Sequence, residues 1–122
     1  MARLSAKLRS LAFDINRERT GIAFWCPGCG ESHAVCTSGD PAKGPVWQWN
    51  GDIDAPTLSP SILVRHRFRD RGEICHSFVR DGKIEFLDDS THSMSGQVVP
   101  LPDWPSGGKE DSFYLTGPHD EV

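Results

Sequence analysis

Two thiols three positions apart, Cys26 and Cys29, flank a Pro27-Gly28 turn; His33 and Cys36 follow, and Cys75-His76 and Thr91-His92 lie far downstream. Sulfurs presented by such a turn can point at one tetrahedral ion, and later residues can complete its shell. The chemistry this implies is zinc binding. Cys75 reads as the third ligand. The spacing alone does not choose the fourth among His33, Cys36 and His92; His33, four residues beyond Cys29, is close enough to return to the turn and joins Cys26, Cys29 and Cys75 as the ligand set. Four protein ligands would make the site structural, whereas three ligands and a water would permit hydrolysis.

A second chemistry needs a nucleophile, a base and an orienting acid. Ser77 follows Cys75 on the same strand face, Asp88 and Asp89 come shortly after, and His92 lies a few residues further. Ser77 with His92 and Asp88 or Asp89 is one grouping, and Ser61, at the end of Ser59-Pro60-Ser61, is the rival nucleophile. Serines near turns more often cap or bond the backbone. Nucleobase deamination is disfavoured, because its His-x-Glu and Pro-Cys-x-x-Cys signature is absent and Glu31 and His33 stand in reversed order downstream. A phosphate-binding glycine loop is missing as well.

The elements that must hold these residues read as mainly β: a small single domain of short antiparallel strands with a zinc-knuckle hairpin. Twelve Gly and nine Pro punctuate short apolar runs. Gly21 to Trp25 and Ala34 to Thr37 flank the Cys-Pro-Gly-Cys turn; Val46 to Asn50 and Ser61 to His66 are further strands, and Leu11 to Ile15 is ambiguous. Asp81-Gly82 between alternating runs predicts a two-residue hairpin that pairs Arg80 with Lys83, Val79 with Ile84, Phe78 with Glu85, Ser77 with Phe86, His76 with Leu87 and Cys75 with Asp88. Alternation then sends Cys75 and His76 to opposite faces, so the two do not share an ion from a regular strand; His76 reads as a packed or partner-facing residue, or exchanges roles with Cys75 as a ligand if the strand bulges. The chain divides into residues 1–20, a zinc-binding β domain at 21–105, and an acidic, partly flexible tail at 106–122.

Composition bounds the function classes. The 122 residues carry a net charge of −4, which argues against a general nucleic-acid binder. No apolar run approaches the ~18 residues of a membrane helix, and a signal-peptide pattern is lacking, so a cytoplasmic location is expected. Arg65, Arg67, Arg69 and Arg71 form a basic cluster against an acidic end. With the pair Trp47 and Trp49 they motivate a second reading, a non-catalytic zinc adaptor docking on a protein partner; the tryptophans read first as core.

Cys26-Pro27-Gly28-Cys29 with His33, Trp47-Gln48-Trp49-Asn50-Gly51, Pro56-Thr57-Leu58-Ser59-Pro60-Ser61, Cys75-His76-Ser77-Phe78 and Ser90-Thr91-His92 occur in this order. Together they resemble a family of small phage and bacterial proteins, some bearing the misleading label ammonia monooxygenase, whose relatives are encoded beside bacterial ubiquitin-like proteins and their conjugating enzymes. The resemblance covers about residues 20 to 105. It implies a protease or deconjugating hydrolase acting on a ubiquitin-like or other protein substrate, with the matching cysteines and histidines as metal or active-site positions.

Overall fold

The computed structural model describes residues 1–66, 73–106 and 114–115. Strands alone dominate it, as the punctuated sequence requires: two five-stranded sheets pack face to face. The first sheet runs β1 (Ala2–Arg3), β2 (Leu8–Ala12), β3 (Thr20–Cys26), β4 (Glu31–Ser38) and β10 (Tyr114–Leu115). The second runs β5 (Gln48–Trp49), β6 (Leu58–His66), β7 (Glu73–Arg80), β8 (Lys83–Phe86) and β9 (Val98–Pro100). Every described pairing is antiparallel except that of β10 with β4. Among the described residues no helix is long and apolar enough to cross a membrane.

Alternation along the strands decides what each sheet buries. In β3, Ile22, Phe24 and Cys26 enter the core between the sheets, while Ala23 and Trp25 face the other way, onto a small cluster closed by Leu11, Phe13 and Trp104. The second sheet contributes Leu58, Ile62, Val64, Cys75, Val79, Ile84 and Phe86 to the same core. Trp47, 2% exposed, fills the space between β4 and β6, and its indole N–H donates to the carbonyls of Pro60 (3.0 Å) and Ser61 (3.3 Å). Trp49, partly buried, also packs against this core.

The predicted hairpin forms in the expected register, from Arg80 opposite Lys83 to Ser77 opposite Phe86. Asp81 and Gly82 have φ of 51° and 77°, the left-handed geometry such a two-residue turn requires. The ladder stops there. Leu87 N–H still donates to the His76 carbonyl at 2.8 Å, but Asp88 leaves the strand and does not pair with Cys75. Of the ambiguous segment Leu11 to Ile15 only Leu11 and Ala12 belong to β2, whose Leu8 is fully buried; residues 1–20 supply β1 and β2 to the first sheet. Arg67, Arg69 and Arg71, and all but the Tyr114–Leu115 part of the segment 107–122, lie outside the described residues.

Candidate active site and metal centre

The Cys-Pro-Gly-Cys turn joins β3 to β4 and is closed by Gly30 N–H donating to the Cys26 carbonyl at 2.9 Å. Cys29 N–H also points at Cys26 Sγ, 3.4 Å away. Cys75, on the core face of β7, brings its sulfur to 3.8 Å from that of Cys26. With His92 from the loop after β8, one ligand atom from each of these four residues lies within 4.8 Å of all the others. His92 is held by an edge contact with Phe86, ring centroids 4.5 Å apart, and its Nδ1 accepts the Met94 N–H at 3.2 Å. Its Nε2 is buried and has no hydrogen-bond partner among the described residues.

Gly28 is what lets that ring in. A Cβ at this position would sit 2.5 Å from His92 Cε1 and Nε2, a clash no side chain accommodates without moving the imidazole. The glycine of the turn therefore serves the downstream histidine.

His33, the fourth ligand expected from spacing, stands outside this four-residue group. It is fully buried on β4 opposite Phe24, and its Nδ1 donates to the Ser32 carbonyl at 3.1 Å. That bond leaves Nε2 toward the sulfurs. Burial would lower the His33 pKa, but the charge and hydrogen bonds of Cys26 and Cys29 outweigh it and push it up to about 10. Hydrogen bonds from Cys29 and Cys75 hold Cys26 far below the ordinary thiol range, with His33 adding to them. Hydrogen bonding to that Cys26 thiolate in turn raises both Cys29 and Cys75. A divalent cation bound among these sulfurs would replace the thiol protons. The donor set, the room at Gly28 and the buried Nε2 of His92 all fit a soft tetrahedral ion. Cys36 is not part of it, since its thiol donates to the Ser38 carbonyl at 3.4 Å.

The next residue along β7 belongs to different chemistry. His76 faces away from the core, opposite Leu63 of β6. On β6, Leu58 pairs with Val79 and Ile62 with Ser77, so four steps on β6 oppose two on β7, and Ser59-Pro60-Ser61 bulges out of the ladder. The bulge brings Ser61 Oγ to 3.0 Å from His76 Nε2. On the other side of the ring, His76 Nδ1 lies 3.1 and 3.0 Å from the two carboxylate oxygens of Asp89. A carboxylate can only accept, so Nδ1 carries the proton and Nε2 accepts the Ser61 hydroxyl. A hydroxyl, an imidazole and a carboxylate are in series, the arrangement that turns a serine into a nucleophile.

The relay grades from interior to solvent: Ser61 is 3% exposed, and the side chains of His76 and Asp89 are 12% and 57% exposed. Of the residues expected to do chemistry, the structure brings together Ser61 and Asp89, and between them stands His76, for which the sequence alone suggests a packed or partner-facing role. Ser77 is buried on the core face between Ile62 and Phe86, away from this relay. His92 joins the sulfurs instead of a serine. Asp88 is exposed, beside Gly96. The register sets Leu87 opposite His76, but the turn after Leu87, and not the two-residue repeat, carries Asp89 over the ring.

Neither a comparison with curated proteins nor one with solved structures returned a match. Residues 2–87, which include Ser61, His76 and all three clustered cysteines, match the family described as "Bacterial ubiquitination-like system serine protease (BubE)", and the chain belongs to that family.

Proposed function

We propose that the protein is a serine-type peptidase or isopeptidase that cleaves a ubiquitin-like or other protein substrate, with Ser61 as nucleophile, His76 as general base and Asp89 as the group that orients and charges the imidazole. The observation that carries this reading is the unbroken series of Ser61 Oγ, His76 Nε2, His76 Nδ1 and Asp89, with both joints near 3.0 Å. Ser61 Oγ attacks the scissile carbonyl as its proton passes to His76 Nε2. Asp89 stabilises the imidazolium so formed, and His76 then gives the proton to the leaving group. Water, activated by the same imidazole, releases the acyl group from Ser61.

Zinc is the metal we propose, because three thiolates and an imidazole would suit it best. Cys26, Cys29, Cys75 and His92 would be its ligands, and His33 would donate to the thiolates as second-sphere charge balance. When bound, the ion supplies a cross-link between the two sheets and the neutralisation of buried thiolates. The reaction runs on the opposite face of β7, through the chain's own side chains.

The test is incubation of the full chain with a fluorophosphonate, followed by peptide mapping, alongside cleavage of a ubiquitin-like protein extended beyond its carboxyl terminus. Labelling confined to Ser61, and cleavage abolished by Ser61→Ala, are expected. Cleavage that survives Ser61→Ala would sink the serine mechanism.

A further inference from the structure

We propose that Ser90 is a positioning residue for the relay: its hydroxyl fixes the backbone of His76 and loops the chain so that Asp89 hangs over the imidazole. This rests on the reading of Ser61, His76 and Asp89 as the hydrolytic relay. β8 ends at Phe86, and the chain beyond it does not continue as a strand beside β7. It makes a turn in which Ser90 N–H donates to the Leu87 carbonyl at 3.0 Å. The Ser90 side chain then comes back to β7. Its Oγ accepts the His76 N–H at 3.0 Å and donates to the His76 carbonyl at 3.0 Å. The Leu87 amide still donates to the His76 carbonyl, so the hydroxyl replaces the ladder carbonyl that would accept the His76 N–H and adds a second donor to the His76 carbonyl.

The consequence is geometric. Because a side chain and not a backbone carbonyl accepts the His76 N–H, residues 88 and 89 are free to bulge outward, and Asp89 reaches His76 Nδ1 with both oxygens. From the other side Ser95 Oγ holds the same turn, donating to the carbonyls of Leu87 (3.2 Å) and Asp88 (3.1 Å). Ser90 is 6% exposed, so a residue lacking the hydroxyl gives the His76 amide little access to replacement water. Alanine here frees the backbone of the base and the stem of its acid together.

Thr91 supplies an internal control. One register further along, its Oγ1 accepts the Ile74 N–H at 3.0 Å and donates to the Ile74 carbonyl at 3.3 Å, while its own N–H donates to that carbonyl at 2.9 Å. The bonding is of the same kind, but the residue it holds is not the base. A general loosening of the loop would therefore affect Ser90→Ala and Thr91→Ala alike, and a positioning role separates them.

The experiment measures fluorophosphonate labelling of Ser61 in the full chain, resolved into binding and chemical steps, together with the NMR resonance of the His76 Nδ1 proton. For Ser90→Ala the chemical step should fall about tenfold or more with binding changed less than about twofold, and the proton resonance should shift or broaden. For Thr91→Ala both readouts should stay near wild type. Equal losses in the two variants, or a wild-type rate and resonance in Ser90→Ala, overturn the proposal. Should Ser90→Ala fail to fold, Ser90→Cys keeps the size and weakens both bonds; an intermediate rate with a displaced resonance supports the role, and wild-type values overturn it. If wild-type Ser61 is not labelled at all, the relay reading fails, and the His76 resonance alone decides whether Ser90 orients that ring.

Discussion

Cys75 and His76 are consecutive residues of β7, yet they sit on opposite faces of one sheet and belong to different chemistries. On the core face, Cys75 closes a group with Cys26, Cys29 and His92 that gathers both sheets around one point. On the outer face, His76 stands between Ser61 and Asp89. With the proposed metal the inner site suits cross-linking, while the outer one leaves Asp89, its proposed acid, in solvent and suits turnover. Both sites also share the loop after β8, which gives Asp89 to one face and His92 to the other. On the proposed function, chemistry on the outer face hangs on a strand and a loop pinned from within, and the two sites should be separable by mutation in one direction only.

That asymmetry predicts opposite signatures. The largest effect belongs to Ser61→Ala, which should cut hydrolysis by about 10,000-fold while leaving the unfolding midpoint and bound metal as in wild type, measured by rate assay, thermal denaturation and elemental analysis. Cys75→Ser should do the reverse first: metal content drops and stability falls by more than about 4 kcal/mol in denaturant titration, with activity lost as a consequence. Full metal occupancy in that variant would remove Cys75 from the site.

Asp89→Asn comes next. Because its side chain is 57% exposed, solvent screening weakens its hold on the imidazolium. The rate loss should be about 100-fold, below that of a buried acid, and stability should hardly change. A loss as deep as that of Ser61→Ala would show that substrate binding buries the carboxylate. The smallest of the series is Gly28→Ala. Its Cβ meets His92 at 2.5 Å, so metal affinity should fall about tenfold and stability by roughly 1–3 kcal/mol. Competition against a chelator measures the first, and chemical unfolding the second. Unchanged affinity would mean that His92 does not ligate and would return His33 to the fourth position.

Local rules made much of this legible in the sequence. The Cys-Pro-Gly-Cys turn between two strands, the Asp81-Gly82 hairpin and its register follow from side-chain period and turn chemistry, which act over a few residues. The same period separated Cys75 from His76, and that division stands in the structure. Proximity in sequence to Asp88 and Asp89 points to His92 as the base, whereas in the structure His76 stands between Ser61 and Asp89 and His92 lies with the sulfurs.

What the sequence determined by itself was thus the set of chemical groups and the face each takes on its own strand, since both depend on residue type and the two-residue repeat. Which strand lies beside which, how far the Ser59-Pro60-Ser61 bulge swings Ser61 toward β7, and which histidine enters the room left at Gly28 were decided only by the tertiary structure. Those contacts join residues 15 to 64 positions apart, and they are selected by how two sheets share one core, a packing constraint that no local pattern encodes.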